Sequence, residues 1–445
     1  MNFRLRRLAV LAALPGLLLL SRITLEGQVD EARGLERLII LARASAGDAA
    51  SIANRHGITP VHVFAHATRG FAALVPPGVR ARLASDPDVV ALIPDRAVHA
   101  IRKPDGKPGK GGGGKGGGSN AQVVPEGIAR VGAQPGALAY TDAGVGVAIV
   151  DTGIDFTHAD LTPSLAQFSA YGTSAQDDSG HGTHVAGTVA AANNAIDVVG
   201  IAPGATLYAV KVLSASGSGY DSDIIAGLDW IAANVGAHSP AIKVANMSLG
   251  RPGTLEDNPA LRQSVQSLYN LGIAIVVAAG NDPTLEVSQN VPATYPEVIA
   301  VASTTAITGT SATSLSPIVG DSVSYFTTDG AMDGNGIGVS ISAPGEEAEN
   351  IRKGNRLRSV GILSTQLGGG TTRMFGTSMA SPHVTGVAAL LYEQNPALTP
   401  YDAKINLMVG ADRAGVAPID GRTTAYTFDG EREGILSAPG ALSAP

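Results

Sequence analysis

The sequence contains no cysteine. That excludes a disulfide framework, a zinc–thiolate site and a cysteine nucleophile together. Export stays open, because a chain of 445 residues can build a core that needs no covalent staples. Aromatic residues are scarce, 4% with a single tryptophan, against 44% apolar residues and 56 glycines. Such a composition reads as a tightly packed α/β protein and not as a disordered chain. An excess of basic residues is missing too, since the formal net charge is −7. No broad basic surface follows, so nucleic acid is not an expected partner.

Long hydrophobic runs are also few. The one near the start, Leu8 to Leu20, follows Arg4, Arg6 and Arg7. A basic segment before a short apolar run has the form of a signal peptide, assigned here to 1–27, although "SRITLEGQ" offers no Ala-x-Ala cleavage site. The run is too short for a comfortable membrane span. The expectation is a secreted protein with no stable span after processing.

Residues 36–101 read as a small separate unit. The runs 38–41, 61–65, 70–75 and 89–93 read as strands, and 46–56 and 79–86 as short helices, in the order β-α-β-β-α-β of a ferredoxin-like α+β unit. The stretch "RKPDGKPGKGGGGKGGGSN" (102–120) has no core-forming residue and reads as a solvated linker. From Ala121 to Pro445, continuous apolar runs at 146–151, 206–213, 242–249, 273–280 and 297–303 suit parallel strands covered on both faces. Helical patterns at 181–192, 221–234 and 258–270 lie between them, which predicts a doubly wound, mostly parallel α/β domain. "GEEAENIRKGNRLR" reads as a charged, solvated loop.

Ligands of such a sheet bind at the carboxyl ends of its strands. Asp151 stands at one, in "VAIVDTGID", with Asp155 a competing carboxylate on the same turn. His181 opens an apolar helix in "SGHGTHVAGT", and His184 lies one turn on. A zinc reading of this pair lacks the H-E-x-x-H spacing and an acidic third ligand. In "GTSMASPHVTG", Ser378 follows Gly376 at a helix start, where a free backbone N–H and the helix dipole favour negative charge. Asn281, closing the run "VVAAGND", carries an amide that can donate to a developing oxyanion. Each residue alone has an ordinary reading as a cap or turn former. Together they supply what acyl transfer needs: a hydroxyl nucleophile, an imidazole base, a carboxylate that orients it, and an oxyanion donor.

The segments "AIVDTGID", "GHGTHVAGT" and "GTSMASPHVTG" resemble the three signature segments of the subtilisin-like serine proteases, and "NMSLG" and "AAGN" resemble that family's substrate-strand and oxyanion segments. The resemblance implies a serine endopeptidase acting as a monomer on protein and peptide substrates. It assigns Asp151 as orienting carboxylate, His181 as base, Ser378 as nucleophile and Asn281 as oxyanion donor. It also implies that 36–101 is an inhibitory propeptide that acts on its own chain, with one cut after Ile101 and trimming toward Ala121. Substrate would lie as an added strand between Ser216, Gly217, Ser218, Gly219 and Ser248, Leu249, Gly250. Ala278, Ala279, Gly280 and Asn290 would line a small-walled, uncharged pocket for a large apolar side chain, with Asp282 at its rim. "AANNAIDVVG" (191–200) resembles the family's calcium loop. By that resemblance Ala192, Asn194, Ile196 and Val198, with Asp160 and Gln122, would hold a structural Ca²⁺. Gln122 would couple maturation to stability by tying in the freed N-terminus. A dinucleotide site is a poor alternative, because the glycines of "AGVG" precede the strand instead of following it. A catalytically dead binding module would need a substituted triad or oxyanion residue, and none is substituted.

Overall fold

The computed structural model describes residues 34–45, 47–101, 121–139, 144–412 and 433–444. The expected signal peptide and linker lie outside the described residues. The N-terminal unit has four antiparallel strands, β1 (Glu36–Ala42), β2 (Pro60–Phe64), β3 (Gly70–Val75) and β4 (Val89–Pro94), in the order β2-β3-β1-β4. Two helices, Ala49–His56 and Pro77–Ala84, complete the ferredoxin-like order. The first is started by Asp48, whose carboxylate accepts from Ala50 N, and ended by Gly57 at φ 67°. Strand alternation divides β1 between two cores. Leu38 and Ile40 pack with Ile52 and Leu83 under the unit's own helices. Ile39 faces the other way and joins Phe64, Ala72 and Ile93 in a core shared with the larger domain.

A short fifth strand, β5 (Ala97–Ala100), follows this unit. The larger domain is then built on β6 (Gly146–Asp151), β7 (Phe168–Ser169), β8 (Thr206–Lys211), β9 (Ser218–Tyr220), β10 (Ile242–Met247), β11 (Leu249–Pro252), β12 (Ala274–Ala278), β13 (Asn290–Val291), β14 (Ile299–Thr305) and β15 (Ile341–Glu346). Seven of them form a parallel sheet in the order β15-β14-β12-β10-β6-β8-β7. Every residue of β6, β12 and β14 is buried, as strands covered on both faces require. One face carries the helices His181–Ala190 and Thr377–Gln394, the other Asp221–Asn234 and Pro259–Asn270. The fold is the expected doubly wound α/β arrangement.

One expectation is overturned. The stretch read as a solvated charged loop is a β-hairpin, β16 (Ala348–Arg352) with β17 (Arg356–Val360). Glu346 and Glu349 are fully buried, and Glu347 nearly so. Glu349 accepts from Tyr325 N at 2.9 Å, and Glu347 is paired with Arg373. Charge read as solvent contact, but strand alternation turns every second residue inward and partners meet it there.

Candidate active site

Asp151 ends β6 and His181 begins the helix His181–Ala190, after Gly180 at φ 92°. The fold brings them together: His181 Nδ1 lies 2.8 Å from Asp151 Oδ1 and 3.0 Å from Oδ2, with both side chains buried. A carboxylate oxygen accepts, so Nδ1 is the donor in this contact. Nε2 has no hydrogen-bond partner among the described residues. Gly182 must be glycine, because a Cβ there would sit 2.1 Å from Gly153 O.

Asp155 and His184 do not join this pair. Asp155 holds its own turn. Burial pushes its carboxyl up, but hydrogen bonds from Gly368, Thr157 and Gln176 outweigh that and hold it at about 2. His184 is buried on Ile362 O at 3.0 Å, and burial pushes its imidazole down to about 3.

Ser378 is the second residue of the helix Thr377–Gln394, so its amide has no partner within the helix. Its Oγ lies 3.0 Å from Ile101 O and 3.1 Å from Ser248 O. Asn281 Nδ2 donates to the same Ile101 oxygen at 2.9 Å. The amide is aimed by Thr377, whose N and Oγ1 donate to Asn281 Oδ1 at 2.9 and 3.0 Å. Gly376, at φ 141°, lets the backbone pass: a Cβ would lie 2.6 Å from Asn281 Nδ2 and 3.3 Å from Ile101 O.

The carbonyl of Ile101 arrives there because β5 is inserted between β9 and β11 as an antiparallel strand. Val98 pairs with Gly219, His99 with Ser218 and Gly250, and Ala100 with Leu249. Ala100 N donates to Gly217 O at 2.8 Å and Ile101 N to Ser248 O at 3.3 Å. The edges expected to bind an extended peptide thus grip the chain's own tail. Ser216 sits in the preceding turn, its hydroxyl on Ser214. Beyond Ile101, Ala278, Ala279, Gly280 and Asn290 are all buried, with Asn290 Nδ2 on Ala279 O. Gly280 adopts φ 129°, and an Ile101 methyl would lie 3.4 Å from a Cβ on Gly250.

Two supporting residues went unread in the sequence. One is Thr377. The other is Asp177, nearly fully buried. Its Oδ1 accepts from Thr152 Oγ1, Ser179 N and Gly180 N, and its Oδ2 from Thr183 N and Oγ1, at 2.6–3.0 Å. It ties the turn after Asp151 to the helix that carries His181. An acid four residues before His181 was the available signal, since acids gather at helix starts.

Five of the six expected cation ligands meet one another, and Ile196 joins them through its N–H. Gln122 Nε2 lies 2.7 Å from Ala192 O, 3.0 Å from Val198 O and 3.5 Å from Asn194 Oδ1. Asp160 accepts from Asn194 Nδ2 and Val198 N, and Ile196 N donates to Asn194 Oδ1. An amide nitrogen has two protons, yet three oxygens meet on it. Hard oxygens around one point, with a carboxylate behind them, are a donor set that fits Ca²⁺. Gln122 holds this position in the uncut chain, with Ile101 at the reaction centre.

Comparison with known proteins gives the family. The subtilase family model matches residues 142–425. Subtilisin DY of Bacillus licheniformis is 39% identical over 303 residues, which cover 66% of this chain and 94% of that protein. Subtilisin Savinase of Lederbergia lenta is 42% identical over 279 residues, or 62% of this chain and 87% of that one. The crystal structure of a cold adapted subtilisin-like serine proteinase covers 72% of this chain and 99% of its own, with a TM-score of 0.54 and 29% identity. The chain therefore belongs to the subtilase family and is a serine protease of the subtilisin type.

Proposed function

We propose that this protease is a secreted endopeptidase made as a self-processing zymogen, and that residues 36–101 are its propeptide and intramolecular inhibitor. The observation that carries the reading is the Ile101 carbonyl oxygen, 3.0 Å from Ser378 Oγ and 2.9 Å from Asn281 Nδ2 at the end of an inserted strand. The bond between Ile101 and Arg102 is then the first substrate. Ser378 Oγ attacks the Ile101 carbonyl carbon and passes its proton to His181 Nε2. Asp151 holds the imidazole by Nδ1 and stabilises its cationic form. Asn281 Nδ2 and the Ser378 amide receive the oxygen as it becomes negative. The imidazolium then protonates the departing Arg102 nitrogen, leaving an acyl-enzyme on Ile101 that water hydrolyses. The new Ile101 carboxylate stays in the cleft, held by both flanking strands, so the first cut leaves the enzyme inhibited. Trimming of 102–120 follows.

The preference is for a large apolar side chain before the scissile bond, with broad tolerance. Ile101 and the small, uncharged residues around it support this. A structural Ca²⁺ on Gln122, Asp160, Ala192, Asn194, Ile196 and Val198 would lock the loop 192–198 onto the start of the mature chain.

The test follows intact mass and casein hydrolysis for the refolded full-length chain beside Ser378→Ala. Wild type should lose the residues before Arg102, then those up to about Ala121, and cleave casein, while the variant does neither. Equal processing of both chains would overturn self-processing, and a mature N-terminus before Arg102 would overturn the assigned bond.

A further inference from the structure

The hairpin β16–β17 concentrates cations in a way nothing else in the catalytic domain does. Among the described residues, every other lysine and arginine there, from Arg130 to Lys404, holds a carboxylate or carbonyl oxygen. Arg352, Lys353, Arg356 and Arg358 hold neither, and all four are exposed. The chain as a whole is acidic, at −7, so carboxylates are not in short supply.

The register makes the arrangement costly. Arg352 stands directly opposite Arg356, and Asn350 opposite Arg358, so three guanidiniums share one face. Like charges facing each other across a strand pair are unfavourable. The opposite face is committed to the core through Ile351 and Glu349. Lys353 adds its charge at the tip, beside Gly354 and Asn355 at φ 77° and 56°. A groove of about 640 Å³ runs here, lined by the four cations with Ala312 and Leu357.

The edges of the hairpin differ. Ile351 on β16 exchanges hydrogen bonds with Thr310 and Ala312 at 2.8 Å. β17 pairs only with β16 among the described residues, so its outer edge has open backbone donors and acceptors. Charge on an edge strand also guards against aggregation. Guarding does not by itself account for a groove lined by four cations. The hairpin is rooted beside the reaction centre: Gly376 N, two residues before Ser378, donates to Gly345 O at 3.0 Å. Arg352 is seven residues from Gly345, so the patch lies within roughly 25 Å of that root.

We propose that this face is an exosite that captures an acidic stretch of the polypeptide substrate, laid along the open edge of β17 with its carboxylates on Arg352, Arg356 and Arg358. Guanidinium forks suit carboxylates, and an edge strand suits an extended peptide. The proposal rests on the protease reading, and its occupant follows from it, because polypeptide is what such an enzyme holds while it works.

Two measurements separate the exosite from the protease reading. In the first, a labelled oligoglutamate peptide is titrated by anisotropy into full-length Ser378→Ala, whose own tail fills the cleft. Saturable binding should appear at low salt and weaken by about tenfold or more when Arg352, Arg356 and Arg358 are all changed to Gln, as surface pairs allow. In the second, the processed enzyme cleaves two peptides with the same scissile sequence, one carrying a glutamate run. The acidic peptide should have the lower KM at equal kcat, and the triple variant and added salt should each erase that advantage while the neutral peptide is unaffected. Absence of oligoglutamate binding, or binding that survives the triple change, overturns the exosite even if the enzyme is active. So does arginine-dependent retention on anionic vesicles or a sulfated polysaccharide with no preference for the acidic peptide. Binding in the first measurement with no cleavage of either peptide in the second would keep the exosite and count against the protease reading.

Discussion

Gly376 shows how little room the reaction centre leaves. A methyl group there would press on both Asn281 Nδ2 and the Ile101 carbonyl, and its φ of 141° is strained for any other residue. Gly376→Ala should slow self-processing by about 10²-fold, the size of losing an oxyanion donor. Intact mass against time checks this, and wild-type kinetics would remove Gly376 from the argument. The buried histidines make a second prediction at this scale. Burial pushes His184 down to about 3 and His383 down to about 4. Each stays neutral when folded and binds a proton more readily when unfolded. Their stability contribution is therefore complete above the ordinary histidine value, near 6.5, and is lost as pH falls from there toward 4. His383→Gln should flatten the fall in urea stability between pH 6.5 and 4.5 by up to about 1.4 kcal/mol per pH unit. A parallel profile would mean that His383 titrates normally.

At the scale of elements, the helix Asp221–Asn234 is the platform on which the N-terminal unit sits. Asp229 on that helix accepts from the amides of Ala65, His66 and Ala67, its shortest contacts being 2.7 Å. His62 meets Asp223 at 2.8 Å, and Asp95 caps the helix start through Ser222 N at 2.9 Å. Asp229→Ala leaves three amides without a partner at the interface, each worth about 1–3 kcal/mol. On the proposed zymogen cleavage, the cut N-terminal unit should then leave at least about 30-fold faster, read by gel filtration after that cut. Retention equal to wild type would place the docking energy in the sheet face around Ile39 and Phe64 instead. Elements of this kind were legible in proportion to their apolar continuity. The five unbroken runs became strands of the parallel sheet. β15, "ISAPGE", hid behind its proline, glycine and glutamate, and β7 is two residues long. The charged hairpin was misread because buried glutamates announce themselves only through partners distant in the chain, Tyr325 and Arg373. Asp151, His181 and Ser378 stood out because each sits at a strand end or helix start, and Asn281 because it lies just past one. Thr377 and Asp177 did not, since residues that aim other residues look like ordinary turn formers until the fold is known.

For the molecule as a whole, the absence of cysteine leaves noncovalent ties to hold the segment that begins at Ala121. Gln122 on the loop 192–198 and the bridge from Val123 to Val198 are two of them. A chelator should lower the melting temperature of the processed enzyme, and Gln122→Ala should remove most of that sensitivity. Equal chelator effects in both would move the ion elsewhere. The linker gives this region a further meaning. Ile101 in the cleft and Gln122 on the loop are held at once, with twenty residues between them in the sequence. On the proposed calcium site and zymogen cleavage, ion loading and cleavage should be independent events, and by reciprocity neither should shift the equilibrium of the other. Calcium titrated into intact Ser378→Ala should bind with the affinity of the mature enzyme, so the order in which the two events occur is set by ion supply and not by the state of the chain.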